Sequence, residues 1–334
     1  MKDYILSLLE GEETEENPCT SLAGCQGTTP VGVQEEAGIE WPAAHKDSQK
    51  MADLAIKSSD IIGIENVRVP FDACVEPEAL GAEISWGSKQ NDPYISGYPF
   101  SDNPEDVKVP EDLLELGRIP TVIEAIKEVQ SNLDKDKPVS TTVIGPLTLV
   151  GELIGTEDLL RKTITEKDLI KELVERVTEI PQKLISRYYE AGADVVQVIE
   201  PSSSADMIPP NIFTEILQPH LSKISSEVDR PLILHICGNI EPILPAIMEL
   251  DFDGVSLGSG ININKAKKEA SEGTKLLGNI SPDTLSKGSP SKVKKEVSNA
   301  INQGIDFIEP DDGFVPVATL ENVETMVKAT KEKR

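Results

Sequence analysis

Short runs rich in Val, Ile and Leu recur along the chain, separated by longer stretches whose apolar positions fall at helical spacing. That alternation predicts repeated βα units around a parallel sheet. Eight runs read as strands: Pro18–Leu22, Asn66–Pro70, Val139–Ile144, Asp194–Ile199, Pro231–Ile236, Asp253–Leu257, Lys275–Asn279 and Asp306–Glu309. Eight strands with room for a helix after each fit a closed (β/α)8 TIM barrel, an α/β fold, better than an open doubly wound sheet. No GxGxxG follows the first strand. The whole chain, 1–334, reads as one domain, with an N-terminal helical extension over 1–17.

Helix signals support the same order. Ser48 is placed to cap a helix through Ile62, and Thr165 and Asp168 precede an amphipathic run over Leu169–Glu190 with a break expected near Pro181. Further helices are expected over Asn211–Val228, Glu241–Glu249, Asn264–Ser271, Ser291–Gln303 and Leu320–Lys331. Gly192, Gly238, Gly254, Gly278 and Gly304 flank the strands, where tight turns often need a positive φ. The segment 76–108, rich in Gly, Pro, Ser and Asn, has little periodicity and is expected to be an excursion covering the barrel mouth.

Charge narrows the partners. With 32 Lys and Arg against 58 Asp and Glu, the chain carries a net charge of −26. That balance speaks against nucleic acid, which demands clustered basic groups. No apolar run approaches the ~18 residues of a membrane span, and the start does not read as a signal peptide, so a cytoplasmic protein with no membrane partner is expected. Four cysteines in so long a chain are not a disulfide scaffold.

In a barrel of this kind the reactive groups stand at the carboxyl ends of the strands. The run Pro231–Ile236 ends in His235, with Cys237 two residues on. Alternate strand residues share a side, so this imidazole and thiol can address one point, a pairing suited to a borderline cation such as Zn2+. The bland reading is a hydrogen-bonded His beside a buried thiol. Asp311 and Asp312 follow the last strand, either as donors at the same rim or as turn caps. Glu200 and Ser202–Ser204 follow the fourth strand, as an acid and anion-binding hydroxyls or as an ordinary helix cap. Cys19 and Cys25 could add sulfur, but small packed thiols are the commoner outcome. His45 and His220 read as structural.

With His235-x-Cys237-Gly238-Asn239 after the fifth strand, the sequence resembles the uroporphyrinogen decarboxylase-like family, and within it the methylcobamide:coenzyme M methyltransferases of methanogens. The likeness runs nearly end to end, through Trp41–His45, Ile144–Thr148, Ala191–Asp194, Pro201–Ile208, Leu277–Pro282 and Thr319–Asn322. The resemblance implies one zinc ion per chain, held by His235, Cys237 and a third ligand, that activates the thiol of coenzyme M to take a methyl group from a separate methylated corrinoid protein. It implies no group on this chain acting as catalyst beyond the metal site.

Two positions depart from the family pattern. Its third ligand is a Cys in a Pro-Gly-Cys-Gly turn, which here reads Pro310-Asp311-Asp312-Gly313, with Asp312 in the Cys position. The acidic residue often found after the sixth strand is absent from Ser256-Leu257-Gly258-Ser259-Gly260. A His235–Cys237–Asp312 metal site is the expectation. The alternatives are a divergent paralogue with another thiol acceptor, a non-catalytic corrinoid-protein-binding relative, or a uroporphyrinogen decarboxylase. The last lacks support, since the first arginine of the chain is Arg68 and no arginine-rich entry segment precedes it.

Overall fold

The computed structural model describes residues 1–13, 16–25, 27, 29–133 and 136–333; residues 14 and 15 of the amino-terminal extension lie outside the described residues. Its strands in chain order are β1 (Val67–Arg68), β2 (Glu83–Ser85), β3 (Tyr94–Gly97), β4 (Val139–Ile144), β5 (Val195–Ile199), β6 (Leu232–His235), β7 (Gly254–Leu257), β8 (Lys275–Ile280) and β9 (Phe307–Pro310). Seven of these form one parallel sheet in the order β1-β4-β5-β6-β7-β8-β9. All six residues of β4 and all four of β6 are buried, the continuous burial expected of strands covered on both faces.

The segment expected as the first strand, Pro18–Leu22, joins the two edges of this sheet without forming a regular strand. Cys19 bridges in parallel to Ile308. Thr20 N–H donates to the Ile308 carbonyl at 3.0 Å, Ile308 N–H donates to Pro18 O at 2.9 Å, and Glu65 N–H donates to Cys19 O at 3.0 Å. Side chains then stand in for the rest of a ladder. Glu65 accepts from Cys19 N–H at 2.8 Å, and Asn66 exchanges bonds with the Ser21 backbone at 2.8 and 3.1 Å. The sheet thus curls into a TIM-barrel-like fold whose seam is sealed partly by side chains.

The helix Lys2–Leu9 plugs the barrel from below. Its Ile5, Leu8 and Leu9 pack with Leu22, Val195, Ile233, Leu277 and Phe307. Gly254 belongs to this layer. It lacks the positive φ expected of it, and the reason for glycine is space: a Cβ would meet Leu277 at 2.7 Å and Ile233 at 3.2 Å.

Four local readings are sharpened or shifted. Asp47, not Ser48, caps Ser48–Ile62, its carboxylate accepting from Lys50 N–H at 2.9 Å. The long amphipathic run divides at Thr178, between Lys167–Val177 and Glu179–Ala191, because Pro181 falls in the first turn of the second helix, where no N–H is needed. Asn211–Val228 contains one π-helical stretch, Phe213–Leu217. The excursion 76–108 is better ordered than its composition implied, carrying the antiparallel hairpin β2–β3.

Candidate metal centre

Strand register brings the first pair together. His235 closes β6 and is paired with Ser256 of β7. Its Nδ1 lies 2.9 Å from Ser256 Oγ, which leaves Nε2 facing the barrel mouth. Cys237, two residues on, follows on the same side, and its Sγ lies 3.0 Å from that Nε2. Asp312 comes from the turn after β9, with Oδ1 3.2 Å from His235 Nε2 and 3.2 Å from Cys237 Sγ. The three residues singled out from the sequence meet at one point.

A fourth donor joins them. Cys25, expected as a packed thiol, places its Sγ 3.4 Å from Cys237 Sγ. The ligating atoms of Cys25, His235, Cys237 and Asp312 all lie within 4.8 Å of one another. Two soft sulfurs, one imidazole and one carboxylate in that space suit a tetrahedral borderline cation. Gly24, with a φ of +111°, makes the turn just before Cys25, where a Cβ would meet the backbone of Asp312.

Protons sit where a cation would. Burial alone would lower His235, but its hydrogen bonds with Asp312 and Cys25 overcome it and raise the imidazole to about 10. Burial pushes Asp312 up, yet the hydrogen bond with His235 and that ring's charge hold it at about 2. The hydrogen bond with Cys237, and then burial, push the Cys25 thiol well above its usual range. A metal entering here would displace protons from these groups.

The other sequence candidates are structural. Glu200 accepts from Leu147 N–H at 2.8 Å and from Thr148 N–H and Oγ–H at 3.1 and 2.9 Å, capping the helix Pro146–Ile154. Ser203 donates to the Glu200 carbonyl at 2.8 Å. Asp311 accepts from Ser259 N–H at 2.7 Å, tying two mouth loops together. His45 is buried, 2.8 Å from Asp72, and His220 contacts Thr178 at 3.1 Å. Cys19 lies in the barrel seam. Ser256, quoted in the sequence only as a departure, is the partner that reasoning missed; its signal was its place beside His235 in neighbouring parallel strands.

A cavity of about 170 Å³ opens beside Cys25, lined also by Asp72, Cys74, Asp92, Tyr94 and Glu152. Of the four donors, Cys25 alone lines it, together with Tyr94 and Ile95 of β3. Among the described residues, no helix is long and apolar enough to cross a membrane.

A family model described as uroporphyrinogen decarboxylase matches residues 1–333. The chain is 35% identical to a methylcobamide:CoM methyltransferase, MtaA, of Methanosarcina barkeri, over 99% of this chain and 98% of that one. It is 32% identical to a methylated-thiol–coenzyme M methyltransferase of Methanosarcina mazei, over 87% of this chain and 79% of the relative. A solved methyltransferase from Methanosarcina mazei superposes with a TM-score of 0.94 at 34% identity, covering 99% of this chain and 98% of its own.

Proposed function

That the chain belongs to the uroporphyrinogen decarboxylase family, in its methylcobamide:coenzyme M methyltransferase branch, is the premise from which we propose its activity: transfer of a methyl group from a methylated corrinoid protein to the thiol of coenzyme M, in methanogenesis, with a zinc ion held by His235, Cys237 and Asp312. One observation carries the reading. Three donors from two distant turns converge on one point at the barrel mouth, with pairwise separations of 3.0 to 3.2 Å.

Zinc bound there would keep the acceptor thiol ionised at neutral pH. The residues supply the rest. Ser256 holds the imidazole so that Nε2 presents its lone pair, as the outer partner of a ligating His usually does. Cys237 and Asp312 add a thiolate and a carboxylate, and a cavity of about 170 Å³ adjoins the centre at Cys25. In the transfer the acceptor sulfur forms a bond to the methyl carbon. The electron pair of the broken carbon–cobalt bond stays with the corrinoid of the partner.

Porphyrinogen decarboxylation finds no such support. Arg68, the first arginine, is buried and bound to the Ala23 carbonyl at 3.0 Å and to the Gly24 carbonyl, leaving it unavailable to a substrate carboxylate.

The test is zinc content per chain, for wild type and for Asp312→Ala, together with methyl transfer to coenzyme M from a methylated corrinoid protein. About one zinc in wild type, a lower content in the variant and measurable transfer are expected. Wild type that takes up no zinc on reconstitution, or Cys237→Ala with full zinc and full activity, would sink the reading.

A further inference from the structure

We infer that Cys25 is a second thiolate ligand of the metal at His235 and Cys237, presented by the loop that follows the barrel seam. The inference rests on the metal-dependent reading above and adds a donor to it from the opposite end of the chain.

Distance is the first ground. A tetrahedral zinc with bonds of about 2.3 Å to sulfur and 2.0 Å to nitrogen sets two sulfurs about 3.7 Å apart and sulfur and nitrogen about 3.5 Å apart. Here the two sulfurs are 3.4 Å apart, and Cys237 Sγ is 3.0 Å from the imidazole nitrogen. The donors need to spread by only a few tenths of an ångström to admit the ion.

The second ground is how the loop is built. Gln197 grips both backbone polar groups of Gly24, accepting from its N–H at 3.0 Å and donating to its carbonyl at 2.9 Å. Arg68 donates to the carbonyls of Ala23 and Gly24. Glu309 accepts from Leu22 N–H at 2.6 Å and Ala23 N–H at 3.2 Å. All three clamping side chains are 1% exposed or less. Three buried polar groups, two of them charged, spent on one turn fix the position of the next residue far more closely than a packing thiol requires. Cys25 itself is only partly buried and faces the cavity.

Charge is the third. Arg68 makes no ion pair at contact distance among the described residues, so its neighbouring charges are those of Glu309 and the metal centre. Two thiolates and one carboxylate on a divalent ion would leave one negative charge, which the buried guanidinium of Arg68 offsets.

The deciding measurement counts sulfur around the metal in the full-length, zinc-reconstituted chain by X-ray absorption at the zinc edge. Two sulfurs are expected in wild type and one in either Cys25→Ser or Cys237→Ser. In the cobalt-substituted protein the sulfur-to-cobalt charge-transfer band should fall about twofold in each variant. One sulfur in wild type, lost in Cys237→Ser and kept in Cys25→Ser, overturns the inference and leaves the metal-dependent reading intact. No sulfur-bound metal in wild type overturns both. Should Cys25→Ser fail to fold, the wild-type count decides, because among the described residues only these two sulfurs lie in the donor group.

Discussion

Cys25 donates its backbone N–H to Asp312 Oδ1 at 2.9 Å, although 287 positions separate the two residues. The same oxygen faces His235 Nε2 and Cys237 Sγ. Asp312 therefore anchors the loop that carries Cys25, and in the proposed site it is a metal donor as well. Substitution by Asn separates them, because the amide keeps an oxygen for the N–H and loses the charge. Asp312→Asn should leave the thermal midpoint within a few degrees of wild type while metal affinity falls about tenfold or more. Melting curves with a chelator titration check this, and unchanged affinity would show that the carboxylate does not reach the metal.

Ser256→Ala removes the partner of His235 Nδ1 without touching a ligand. Losing such an outer partner typically lowers metal affinity about 10- to 100-fold. Competition against a chromophoric chelator should show that drop, with activity recovering as zinc is raised. An affinity equal to wild type would mean the ring is oriented by packing alone.

Gly24→Ala places a Cβ against the backbone of Asp312 and Gly313 at a residue whose φ is +111°. Neither contact can give way by rotating a side chain. A loss of stability of about 1–3 kcal/mol is expected, with weaker metal retention, because the strain falls between two donors. Denaturant midpoints and zinc content measured on one preparation test both parts.

Asp72 and Arg118 form a buried two-pronged pair at 2.8 and 3.0 Å, with His45 at 2.8 Å. Burial pushes the Asp72 carboxyl up, but the Arg118 and His45 charges and hydrogen bonds carry it well below the usual range. Asp72→Ala removes the two-pronged partner of Arg118 and leaves Glu78, 2.6 Å from its Nε, as the remaining ion-pair partner; a destabilisation of about 1.5–3 kcal/mol at pH 7 is expected. A carboxyl lowered in the folded state stabilises fully above its unfolded value of about 4 and loses that contribution as pH falls below it. The gap between wild type and variant, followed by urea unfolding from pH 7 to pH 3, should narrow; a constant gap would contradict the assignment.

Glu152 shows the opposite sign. Burial beside the cavity raises its carboxyl from 4.5 to about 7. The folded state then holds a proton that the unfolded state has released, so its contribution declines as pH rises from about 4.5 to 7. Glu152→Gln, neutral throughout, should remove that decline, a difference of up to about 3 kcal/mol between pH 5 and pH 8. Parallel slopes for the two proteins would show that Glu152 ionises as an exposed acid does.

The barrel strands were legible because strands buried on both faces must be continuously apolar, and β4 was located to the residue. The hairpin β2–β3 was hidden, since its strands are three and four residues long and no residue of either is fully buried. His235 and Cys237 could be read together because two residues on one strand share a face. Cys25 could not, because its approach depends on Gln197, Arg68 and Glu309 reaching from three separate strands to hold one turn. Pairings across the barrel leave no local spacing to read. Asp312 could be placed at the same rim from its position after the last strand, the resemblance then put it in the ligand position, and its bond to the Cys25 amide came only from the structure.

The seam at Cys19 gives the protein an order of assembly. Cys19 bridges Ile308 of β9, from the far side of the sequence, so residues 18–25 have no surface on which to settle until β9 has been made. A centre assembled across that seam cannot exist on a nascent fragment. Stable metal capture would thus wait for β9 to meet the seam, and release of bound metal would report the parting of that seam before the helical shell gives way.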